Sequence, residues 1–95
     1  MLPDFARFSF NQLQVLQVLL NSPQTPVSVA QIAKKTNLKG KALGAVLSSL
    51  VRINSPLIQP AGKAISGGGL RWLIDRQIDL SKARQSVNQT LTTYV

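Results

Sequence analysis

The sequence has no cysteine and no histidine, and only three acidic residues, Asp4, Asp75 and Asp79, in a length of 95. Without cysteine there is neither a disulfide framework nor a thiolate metal site. Without histidine, and with one acid near a terminus and two bracketing the end of a β-prone run, the chain cannot assemble an acid–base pair, a nucleophilic triad or a metal cluster. It is therefore read as a non-enzyme with no cofactor, no metal and no small-molecule ligand. Long apolar runs are also missing, since none approaches the roughly 20 residues of a membrane span. The N-terminus lacks a basic stretch followed by an apolar one and a small-residue cleavage site. These absences point to a soluble, cytoplasmic protein with no membrane partner, nucleoid-associated if the source is bacterial or archaeal. The Gly68-Gly69 region is not a phosphate-binding loop, because no GK[ST] follows it.

Positive charge, by contrast, is abundant. Eleven Lys and Arg give a net charge of +8 and a pI near 11.1, a bias that speaks to partners rather than to fold. Nucleic acid is the first partner class it suggests and an anionic membrane surface the second. The membrane reading needs a free apolar helix face, and here those faces are needed for a core. A hydrophobic fraction of 44% against 15% charged residues is that of a globular chain, and 95 residues suffice for one domain but not two.

The pattern is clearest from Ser28 to Asn54, which reads as two helices joined by a tight turn. Ser28 and Gln31 form a capping box, and Val27 and Ile32 a hydrophobic staple, so a helix begins at Val29. It ends near Thr36 and Asn37, a residue that tolerates the left-handed conformation of a sharp turn, after which Leu38 returns to the core. In the next helix Leu43, Val46, Leu47 and Leu50 recur at i, i+3, i+4 and i+7, the spacing of a buried stripe. At about 100° per residue the opposite face carries Lys41, Ala45, Ser48 and Arg52, with Gly44 and Ser49 at its edges. That face is small-residued, basic and free of acid.

Upstream, Ser9 with Gln12 and Phe8 with Leu13 repeat the box and staple, so a helix begins at Phe10, with Leu13, Leu16, Leu19 and Leu20 on its buried side, and stops before Pro23. Pro26-Val27 is read as a strand of two or three residues. Downstream, Leu57–Gln59 and Leu70–Ile74 are β-prone runs. Leu70, Trp72 and Ile74 are expected to face the core, and Pro60 to Gly69 to form a loop made mobile by Gly62, Gly67, Gly68 and Gly69. From Asp79 a last helix sets Leu80, Ala83, Val87, Leu91 and Tyr94 on one stripe, capped by Asp79 or Ser81. Two fates are open to that stripe: packing on the Phe10 helix, or a homodimer through the C-terminal helix. Lys82 and Arg84 are read as its solvated face.

Within Ser28–Asn54, the apolar Ile32, the small Ala33, the turn residue Asn37, and Leu38, Leu43 and Val46 resemble the helix-turn-helix pattern over about 20 residues. Asn37 departs from the glycine most often found at the turn, and substitutes for it for the same backbone reason. The bare alternative is a helical hairpin in some α-helical domain. The element order helix, short strand, helix, turn, helix, hairpin extends the resemblance to the winged helix-turn-helix superfamily over roughly residues 9 to 76. It implies an α+β, mainly α, single domain with a two- to three-stranded β-wing and an additional C-terminal helix at about 79 to 93.

The resemblance implies double-stranded DNA as the partner, bound by a small transcriptional regulator or a chromatin or architectural factor. The helix Lys39 to Asn54 would enter the major groove, bringing Lys39, Lys41, Gly44, Ala45, Ser48 and Ser49 toward the bases. Arg52 would meet phosphate or suit the helix dipole, and Lys34 and Lys35 share that ambiguity. Lys63 and Arg71 would touch the backbone or minor groove as a wing does. No Asn, Gln or Arg lies between Gly40 and Leu50, so recognition should favour shape over a base code. Aromatics are only 5%, and Phe10 and Trp72 sit in core-type patterns, which disfavours single-strand binding. The alternative is a winged-helix protein–protein interaction module without DNA contact, although such a module has no need of net +8.

Overall fold

Each of the first two helices starts where the sequence writes two reciprocal hydrogen bonds. The computed structural model describes residues 4–53, 57–63, 69–75 and 77–94. In it the Ser9 hydroxyl accepts from the Gln12 amide at 3.2 Å, and the Gln12 side-chain oxygen accepts from the Ser9 amide at 2.9 Å, opening α1 (Phe10–Leu20). Ser28 and Gln31 exchange the same pair of bonds at 3.2 Å each and open α2 (Val29–Thr36). These bonds satisfy backbone donors that a helix start would otherwise leave unpaired. Val27 and Ile32, the staple pair of α2, are both buried.

Between α2 and α3 (Gly40–Val51) the chain turns at Asn37, with φ 60° and ψ 14°. Buried Thr36 fixes the turn further: its hydroxyl donates to the Ile32 carbonyl at 2.7 Å and accepts from the Leu38 amide at 3.3 Å. Leu38, Leu43, Leu47 and Leu50 are buried and Val46 is half-buried. The helix ends at Val51 with Arg52 as its C-cap, short of the expected Asn54, which lies outside the described residues.

α1 is the centre of the packing and touches α2, α3, α4 (Leu80–Thr92) and the sheet. Val15 and Val18 are therefore buried along with the four leucines of the expected stripe. Phe10 is corrected from core to surface: it is 40% exposed, its ring 5.7 Å from that of Tyr94.

The sheet is antiparallel in the order β1-β3-β2, with β1 Val27–Ser28, β2 Ile58–Lys63 and β3 Leu70–Ile74. β1 sits one residue later than expected. β2 runs through Pro60 to Lys63 rather than ending at Gln59, because it is an edge strand, where a residue without an N–H is tolerated. Between the Pro60↔Trp72 and Lys63↔Leu70 pairs it takes in one extra residue as a bulge, with Gly62 at φ 85°. Leu70 is corrected as well: it is 43% exposed, whereas Ile74 at the other end of the strand is buried. Trp72, between them, is half-buried against the core. Gly67 and Gly68, read as part of the loop, lie outside the described residues.

α4 is capped by Asp79, whose carboxylate accepts from the Lys82 amide at 3.1 Å. Ala83 and Val87 are buried, Leu80 and Leu91 are half-buried and α4 packs on α1, the intramolecular one of the two expected fates, while Tyr94 stays 48% exposed. Arg84 is not a solvated residue. Its Nε and Nη2 donate to the Leu20 carbonyl at 3.0 and 2.8 Å, filling an orphan acceptor at the α1 C-terminus.

Candidate nucleic-acid interface

The local cause of the candidate surface is the turn at Asn37. Because Leu38 and Leu43 go into the core there, α3 is rolled so that Lys41, Ala42, Gly44, Ala45, Ser48 and Arg52 are exposed. Lys39 stands exposed at the N-cap of α3, with no side-chain cap bond of its own. Lys34 and Lys35, in the last turn of α2, are exposed beside it in the chain, where a cation suits the helix dipole.

The electrostatics are one-sided. Among the described residues the single ion pair is Arg7 with Asp4, at 3.7 Å and on the surface, in the N-terminal segment. No acid lies on α2, α3 or β2. The cations of this surface are thus neither paired nor neutralised by a described acid, and each keeps its full charge for an outside anion.

The other residues proposed from the sequence fare differently. Ser49 is half-buried; its hydroxyl donates to the Val46 carbonyl at 2.7 Å and accepts from Gln12 Nε2 at 2.9 Å, tying α3 to α1. It has no free hydrogen to offer outward. Arg71 is also half-buried and gives Nη2 to the Ala61 carbonyl at 2.9 Å, bracing the β2 bulge from the neighbouring strand. Lys63, at the end of β2, is exposed.

One feature at this surface escaped the sequence. Between α3 and β3 runs an open groove of about 520 Å³ whose walls are Val29, Leu47, Val51, Leu70 and Trp72. Gly44, Ser48 and Arg52 also line it, so the hairpin stands directly beside the exposed face of α3. The available signal was Gly44 itself, a glycine inside a helix; among the described residues a Cβ added there meets no heavy atom within 4 Å, so neither crowding nor an unusual backbone calls for glycine.

Among the described residues there is no group of three His, Cys, Asp or Glu side chains that could hold a metal, and no helix is long and apolar enough to cross a membrane.

No family model and no curated protein matches the chain. Among solved structures, a protein described as a possible transcriptional regulator from Methanosarcina mazei Go1 is similar in fold, with a TM-score of 0.58 at 15% identity, over 94% of this chain and 72% of that one. At such an identity the likeness is one of architecture: four helices and a three-stranded antiparallel sheet, an α+β arrangement compatible with a winged helix.

Proposed function

We propose that the chain binds duplex DNA as a winged helix-turn-helix protein, with α3 lying in the major groove and the β2–β3 hairpin acting as the wing. The observation that carries this reading is the exposed, acid-free face of α3, on which Lys41 and Arg52 flank Ala45 and Ser48, continued by Lys39, Lys34 and Lys35. Small side chains let a helix sit deep in the groove, and the absence of Asn, Gln and Arg between Gly40 and Leu50 leaves backbone contact and DNA shape as the main sources of preference. Lys63 supplies a phosphate contact from the wing, while Ser49 and Arg71 act by holding α3 and the hairpin in place. The function is that of a small transcriptional regulator or a DNA-architectural factor of modest sequence specificity. A regulator-like neighbour in fold supports the same class.

A protein-docking module is the competing reading, and the net charge of +8 weighs against it, since about six phosphate contacts would use that charge and a docking surface would not. The test is amide chemical-shift mapping of the protein with a short random duplex. Perturbations are expected over residues 34–48, at Arg52 and at Lys63. Shifts centred on α4 or on Phe5–Arg7, or none at all, would overturn the assignment.

A further inference from the structure

We infer that the groove between α3 and β3 is a binding site for an amphiphilic anion, an apolar molecule carrying a single carboxylate or similar headgroup. This goes beyond duplex binding and does not rest on it.

The groove has the volume of a small-molecule site, about 520 Å³, against a usual range of roughly 300–1,000 Å³. Its walls are apolar, and two of them are anomalous for a free surface: Val51 and Leu70 are 42% and 43% exposed. Phosphate binding gives those side chains nothing to do. The polar groups of the lining have one sense. Arg52 is a cation with no ion pair among the described residues. Trp72 contributes its ring to the wall; its indole N–H, shut off from solvent and without an acceptor among the described residues, could only donate. Ser48 can also donate. No acid lines the groove, so its polar groups complement an acceptor-bearing anion rather than a cation or a neutral donor.

Gly44 strengthens the argument. Glycine inside a helix is destabilising relative to alanine, and among the described residues no neighbour lies within 4 Å of an added Cβ to require it. What glycine does at this position is leave the groove unfilled.

Trp72 is the only tryptophan in the chain, so its emission reports on the site directly. The probe is dodecanoate, titrated below its micelle concentration, with dodecyltrimethylammonium as the cationic control. A saturable change in Trp72 emission is expected with dodecanoate and none with the quaternary amine. Arg52→Gln should weaken binding about tenfold, the scale of one charge-assisted hydrogen bond. Lys82→Gln, on the exposed side of α4, should leave it unchanged. Gly44→Leu, which places a side chain in the groove, should abolish binding while the protein still melts cooperatively. Arg52→Gln alters an exposed side chain and carries the test independently of Gly44→Leu. The site is refuted by the absence of a saturable change, by equal binding of the cationic control, by a Gly44→Leu variant that binds like the parent, or by equal losses in Arg52→Gln and Lys82→Gln. A saturable dodecanoate response in a protein that ignores duplex DNA would remove the function proposed above and leave this site standing.

Discussion

Asn37 and Arg84 each settle a backbone problem at the end of a helix. Asn37 holds φ at 60°, where a β-branched residue is strained by about 1–2 kcal/mol and glycine is not. Asn37→Val should therefore lower stability by at least that amount in urea unfolding, whereas Asn37→Gly should stay close to the parent. A loss in Asn37→Gly as large as in Asn37→Val would mean that the Asn side chain, and not its backbone, fixes the turn. Arg84 donates twice to the Leu20 carbonyl from across 64 positions of chain. Arg84→Ala should cost about 1.5–3 kcal/mol, the range for hydrogen bonds to a charged group, and α4 amides should exchange faster with solvent. The two residues differ in legibility. A left-handed Asn between a helix and an apolar run is a local signal, readable from adjacent letters. The partner of Arg84 is set only when α4 docks on α1, and nothing near position 84 announces it.

The elements divide along the same line. Both capping boxes, the two-helix unit and the bounds of α4 follow from local spacing, and the structure places them where that spacing puts them. The β2–β3 hairpin does not follow. Pro60 reads as a strand end until the edge position of β2 is known, and Leu70 reads as core until its side chain is seen on the open groove beside α3. The same applies to Ser49, whose spacing sets it at the margin of the exposed face and whose bond to Gln12 withdraws it. For α3 the two faces make opposed predictions. Leu47→Ala should destabilise by about 2–5 kcal/mol, because Leu47 is buried and leaves a cavity. Gly44→Ala should stabilise by up to about 1 kcal/mol, since the helix gains propensity and the added methyl meets open space. Thermal melting of the pair checks both. A destabilised Gly44→Ala would show that the groove side of α3 is packed more closely than the geometry allows.

At the scale of the whole molecule, the charge of +8 is spread so that the acids sit at the N-terminal segment, at the end of β3 and at the α4 cap, while α2, α3 and β2 carry none. Exposed Lys34, Lys35, Lys39, Lys41, Arg52 and Lys63 are six cations without a described acidic partner. If each neutralises one phosphate, at about 0.9 of a counterion apiece, the logarithm of the binding constant should fall with the logarithm of salt concentration at a slope near −5. The measurement that bears most directly on duplex binding is therefore fluorescence anisotropy of a random-sequence duplex at several salt concentrations, run on the parent chain and on Lys41→Ala with Arg52→Ala. The expected result is a parent slope of about −4 to −6, reduced by roughly two units in the double variant, with melting unchanged because both side chains are exposed. Absence of binding at low salt, or a slope that the double variant leaves untouched, would contradict a nucleic-acid role for this face of α3.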